Sequence, residues 1–269
     1  MRRLRLFLLS VILLPVYAAA QEQPEAFTSD LFGGLTGTDV LPQGRLQWET
    51  FALYEHSRIF GVEADTWCPN SSTLRYGIGR HTELSLSAAM LHTTDEGTSF
   101  TGIADLTVGF KTALFDGWKA VPAISMRGIL YIPGGENHAY LPDNFGFQFD
   151  LIFQNRLTSW CSLGYQGTII WDDTPHPTIF FGAYLDFLLA RKLLLTIEQD
   201  NYYYGPDEDE KLQVWGSVTL SYQLLPRLEL GLCSDFSLQH YRDFANIMVG
   251  VAWQLTKKYT AFFNPFVTF

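Results

Sequence analysis

Phe145-Gly146-Phe147-Gln148-Phe149-Asp150-Leu151-Ile152-Phe153-Gln154 is the stretch that decides the fold of this chain. Phe145, Phe147, Phe149, Leu151 and Phe153 fall on the odd positions, while Gly146, Gln148, Asp150, Ile152 and Gln154 fall on the even ones. A period of two belongs to a β-strand with one face in an apolar medium and the other in a polar one. The same alternation recurs from about Arg45 to the last residue. It predicts strands near 45–54, 71–79, 83–92, 102–114, 120–132, 144–156, 159–171, 177–188, 192–204, 211–224, 228–238 and 244–255.

The links between these segments alternate in length. Short turns at 80–82, 116–118, 157–158, 190–191 and 226–227 take turns with longer links at 55–70, 93–101, 133–143, 172–176, 205–210 and 239–243. Short periplasmic turns opposite longer outer loops are the habit of outer-membrane barrels. The expected fold is therefore all-β, a transmembrane antiparallel up-and-down β-barrel of about 12 strands. Tyr259 to Phe269 reads as one more alternating segment, which makes the count odd. Since bacterial single-chain barrels use even numbers, 14 strands is the alternative, with the missing one sought within 27–40, and a periplasmic tail is the other reading of the end.

The start of the chain supports export. Arg2, Arg3 and Arg5, an apolar run from Leu6 to Val16, and Ala18-Ala19-Ala20 form the three parts of a signal peptide over residues 1–20, with cleavage near Ala20. Residues 21–44 carry Gly33, Gly34, Gly37 and Pro42, lack alternation, and read as an irregular periplasmic or plug segment ahead of a barrel at 45–269. After the signal, 15 basic and 28 acidic side chains remain, a balance of −13 that argues against a nucleic-acid partner. No later stretch offers the twenty or so apolar residues of a membrane helix, so strands have to do the spanning. Lipid is the expected surroundings. Phe263, Val267 and the terminal Phe269 resemble the aromatic signal through which barrel-assembly machinery engages outer-membrane proteins.

Parity then sorts the side chains. Phe145, Phe147, Phe149, Leu230, Leu232, Val249 and Val251 fall on the lipid face. Arg45, Glu49, Arg75, Glu83, Asp105, Lys111, Arg127, Asp150, Arg156, Asp186, Glu198, Asp200, Glu229 and Asp235 fall on the lumen face, nine acidic against five basic. A water-soluble barrel would alternate too, but with its apolar residues inward and its charges outward. Cysteines 68, 161 and 233 fall in an outer loop, on the lipid face and on the lumen face, which suggests no disulfide framework. The six histidines show no metal-binding spacing, and no serine is marked as a nucleophile, so neither a cofactor nor an enzyme is expected. The acidic loop at 205–210 reads as a solvated outer loop rather than a calcium site.

Several stretches resemble one family, the outer-membrane transporters of the phenol-degradation MetA-pathway type. They are Thr38-Asp39-Val40-Leu41-Pro42-Gln43-Gly44-Arg45-Leu46-Gln47-Trp48-Glu49-Thr50, Leu74-Arg75-Tyr76-Gly77 with Thr82-Glu83-Leu84, Ile103-Ala104-Asp105-Leu106-Thr107-Val108-Gly109-Phe110-Lys111, and Ile132-Pro133-Gly134-Gly135. The motifs cover about residues 36 to 135, and the rest matches by strand pattern alone. The resemblance implies a channel or transporter for small solutes, small aromatic or hydrophobic compounds among them. The residue reading adds a narrow, polar, mildly anionic lumen. A non-conducting structural barrel whose outer loops bind a partner is the rival.

Overall fold

The structure is a computed structural model and describes residues 29–31, 35–59, 62–95, 98–118, 120–134, 140–172, 176–205, 211–239 and 244–256. The expected signal peptide, the loop at 206–210 and the terminal segment with Phe263, Val267 and Phe269 lie outside the described residues.

Twelve strands form one closed ring: β1 (Leu46–Ile59), β2 (Val62–Gly77), β3 (Thr82–Asp95), β4 (Thr98–Phe115), β5 (Ala123–Tyr131), β6 (Gly146–Arg156), β7 (Cys161–Trp171), β8 (Thr178–Ala190), β9 (Leu193–Tyr203), β10 (Leu212–Leu225), β11 (Leu228–Ser237) and β12 (Phe244–Gln254). Each strand pairs antiparallel with its neighbours in sequence, and β1 pairs with β12 from Gln47↔Gln254 to Ser57↔Phe244 to close the ring. Closure leaves no edge whose unpaired amides would face hydrocarbon. The count is twelve rather than fourteen among the described residues, and 35–44 contains no strand.

The direction of the alternation settles which face meets what. On β6, Gln148, Asp150 and Ile152 are buried inside, while Phe147 and Leu151 are exposed outside. Leu230, Leu232 and Val249 likewise stand on the exterior, Val249 with 59% of its surface free. A water-soluble barrel would have the opposite parity, so the apolar exterior is that of a barrel seated in a bilayer.

Two hairpins extend further than the alternation indicates. Links expected at 55–70 and 93–101 are largely strand, since β1 and β2 are joined across 60–61 and β3 and β4 across 96–97. Near those tips Glu55, His56, Glu63, Asp65, Thr93 and Thr94 supply polar side chains on both faces, which removes the oil-and-water contrast that periodicity detects. Cys68 is a second correction. It lies in β2 and is buried inside the barrel against Ala89 and Ala104, not in an outer loop. Pro69, which cannot donate to the ladder, sits in a bulge where the pairing of β2 slips against both β1 and β3, and the extra residue flips parity beyond it. A further bulge in β4 holds Asp105 at φ 51°, a left-handed conformation that Asp tolerates better than most residues.

Candidate functional site

Residues 29–31 and 35–44 run through the lumen near its short-turn end, and four of the inward charges, Glu49, Arg75, Glu83 and Lys111, are spent on holding them. Arg75, buried on β2, reaches Glu49 Oε1 at 2.8 Å, Glu83 Oε1 at 2.7 Å and Asp30 Oδ2 at 3.0 Å. Lys111 on β4 reaches the same Asp30 oxygen at 2.6 Å and the Gly37 carbonyl at 3.2 Å. Burial works against the Asp30 carboxylate, yet the cations of Arg75 and Lys111 hold its pKa down to about 2. The Leu41 amide donates to Glu83 Oε2 at 2.6 Å. Beside it, Gly77 has the Pro42 carbonyl oxygen 2.3 Å from where a Cβ would stand, so only glycine lets the segment pass.

The opposite wall grips the same segment more lightly. Gln166 Oε1 accepts from the Thr36 amide at 3.2 Å, Thr38 Oγ1 donates to Gln154 Oε1 at 3.0 Å, and Ser125 Oγ donates to the Thr38 carbonyl. Leu35 packs on Phe180 and Tyr184 over Gly182, while Leu31 packs on Cys233, Met248 and Ala252 beside Phe51 and Leu53. Separately, Arg127 pairs with Asp150, which also accepts from Gln148 and Thr168. The three cations of β2 to β5, Arg75, Lys111 and Arg127, are thus answered by Asp30, Glu49, Glu83 and Asp150.

The wall of β8 to β11 is different. Among the described residues, Asp186, Glu198, Asp200, Glu229 and Asp235 make no ion pair. Asp186 accepts from Thr196, and Asp235 from Asn246. Three cavities follow this wall from end to end. At the long-loop end, one of about 290 Å³ lies among Glu198, Asp200, Tyr202, Trp215, Asp235 and Phe244. Glu198 also lines the next, of about 170 Å³, which runs between the wall and Asp30, Leu35 and Asp39. Asp39, Asp186 and Glu229 are shared in turn with a vestibule of about 610 Å³ at the short-turn end.

The structure places Glu49, Arg75, Glu83 and Lys111 at the plug, Arg127 and Asp150 in a separate pair, and Asp186, Glu198, Asp200, Glu229 and Asp235 along the open wall. Arg45 donates to Gln254 Oε1 at 3.1 Å next to the β1–β12 seam, and Arg156 lines the basic mouth of the vestibule with Arg191 and Lys192. Asp105, on its bulge, lies within electrostatic reach of the inward Cys68. Sequence reasoning missed Asp30 as an anchor and the aromatic cluster of Tyr202, Tyr204, Trp215 and Phe244. The run Tyr202-Tyr203-Tyr204 beside an acidic loop was the visible signal for the latter.

No protein-family model and no curated protein matches the chain. Its shape is similar to an outer-membrane channel from Pseudomonas putida F1, with TM-score 0.61 and 12% identity over 86% of this chain and 100% of that one. It is similar also to the NanC porin, with TM-score 0.55 and 11% identity over 77% of this chain and 100% of that one. The KdgM porin in complex with disordered oligogalacturonate follows at TM-score 0.50 and 12% identity, over 77% and 99%. At such identities the likeness is one of fold, and the fold is that of a porin-like outer-membrane β-barrel.

Proposed function

We propose that this protein is an outer-membrane channel that passes small solutes along the acidic wall of β8 to β11 while its N-terminal segment narrows the rest of the lumen. The observation that carries the reading is the run of three cavities sharing Glu198, then Asp39, Asp186 and Glu229, from one mouth to the other. Unpaired carboxylates are costly to bury dry and are tolerable where water enters. Twelve strands enclose a lumen between that of packed eight-stranded barrels and open sixteen-stranded porins, which suits a narrow path.

The finer assignment is to transporters of the phenol-degradation MetA-pathway type, with small aromatic or hydrophobic compounds as solutes. It is supported by the motifs over residues 36–135. Export with cleavage near Ala20 and assembly through the C-terminal aromatic segment belong to the same proposal. Planar-bilayer recording of the purified full chain tests it: small, steady conductance steps are expected. A barrel silent both intact and after deletion of residues 21–40 would favour the structural rival.

A further inference from the structure

The cavity at the long-loop end holds acceptors that nothing in the chain's described residues satisfies. Glu198 and Asp200 are only 7% and 8% exposed, and Glu198 Oε2 and Asp200 Oδ1 have no hydrogen-bond partner. Ser217 Oγ, 6% exposed, has none either. The register sets these groups on the neighbouring strands β9 and β10, with Asp200 Oδ1 turned toward Gly182 of β8. Ser217 stands opposite Glu198 on one side and Asp235 on the other, and the next inward row sets Trp215 opposite Asp200.

The rest of the lining is aromatic. Trp215 and Phe244 meet edge to face with centroids 4.2 Å apart, and Tyr202 and Tyr204 lie nearly parallel at 6.2 Å. Asp235 is already held by Asn246 Nδ2 at 3.0 Å, so the demand for a cation comes from Glu198 and Asp200. A cation that brings N–H groups with it would satisfy buried carboxylate oxygens that have no donor. A metal ion suits the place poorly, since no group of three or more ligating side chains gathers among the described residues.

The geometry points to a binding site for a primary organic ammonium ion with a small aromatic body. Its N–H groups would go to the carboxylates of Glu198 and Asp200, and its body would lie among Tyr202, Trp215 and Phe244. A primary ammonium has three N–H donors to offer the two carboxylates, whereas a quaternary ammonium has none to give. The aromatic faces favour the cation and hold the apolar part. This site rests on the channel reading only in taking the lumen as reachable from the loop end.

The test is a fluorescence and calorimetric titration of the detergent-solubilised full chain with phenethylammonium chloride, using Trp215→Phe to assign the optical signal. Saturable binding is expected, with 2-phenylethanol and tetramethylammonium each weaker by about tenfold or more, the worth of one charge-assisted hydrogen bond. Asp200→Asn and Glu198→Gln, checked as folded by heat-modifiable gel mobility, should each weaken it by a similar factor. Equal affinity for the alcohol, or unchanged binding in the double variant, would overturn the site. Since the alcohol comparison needs no variant, the proposal stays testable if a substitution impairs folding. A barrel that conducts without binding phenethylammonium sinks this site and leaves the channel standing, and a silent barrel that binds it does the reverse.

Discussion

Arg75 shows how one side chain can organise a lumen. It sits among Asp30, Glu49 and Glu83, so replacing it with Gln leaves three carboxylates facing one another with Lys111 alone to answer them. Removing one partner of a buried ion pair costs about 3–5 kcal/mol. We expect Arg75→Gln to lower stability in lipid vesicles by that order, read as a shift in the urea midpoint. Asp30 makes a pH statement. Its pKa is near 2 with the segment docked, against 3.8 for the free group, so the anchoring is fully present above about pH 4 and fades as pH falls through 2. The difference amounts to about 2 kcal/mol. Conductance should therefore hold steady from this cause between pH 5 and 8 and rise below pH 4, and Asp30→Asn should abolish that acid response. A response centred near pH 6 in the intact protein that vanishes in Asp30→Asn would contradict the assignment.

At the scale of elements, parity was legible because lipid and lumen differ so sharply. A charge on the outer face is expected to cost about 2–4 kcal/mol at mid-bilayer, and Leu232→Arg, in mid-strand on β11, should show it as a loss of folded fraction in vesicles. The β1–β2 and β3–β4 hairpin tips escaped detection because both their faces are polar, and Cys68 was misplaced because the Pro69 bulge shifts the frame. The plug is the element least open to reading, for it has no period. Yet its receptor was spelled out in pieces: Glu49, Arg75, Gly77, Glu83 and Lys111 all belong to the stretches that carry the family resemblance. Their convergence on Asp30 and Leu41 depends on contacts across four strands, which no single segment encodes. Deleting residues 21–40 should enlarge the conductance step, and an unchanged step would mean that this segment does not narrow the path.

For the whole molecule, charge is divided between two sides of one cylinder. On the side of β1 to β6 the cations Arg75, Lys111 and Arg127 are paired with carboxylates, while the side of β8 to β11 leaves carboxylates facing the cavities. Cation preference in a salt gradient is expected, shrinking as Asp186, Glu198 and Asp200 are replaced by their amides and as ionic strength rises. Anion preference would show that Arg156, Arg191 and Lys192 at the vestibule govern selection instead. The segment that crosses the lumen also has a mechanical meaning. It is fastened at Arg75 and Lys111 on one side, at Gln154 and Gln166 on another, and through Leu31 at β11 and β12. A hollow tube yields most easily by flattening into an ellipse, and a strut tied to several points of its circumference resists that mode. This tube is cross-braced near one rim, and among the described residues no comparable strut spans the aromatic end, so squeezing by thick or crowded membranes should deform that end before the turn end feels it.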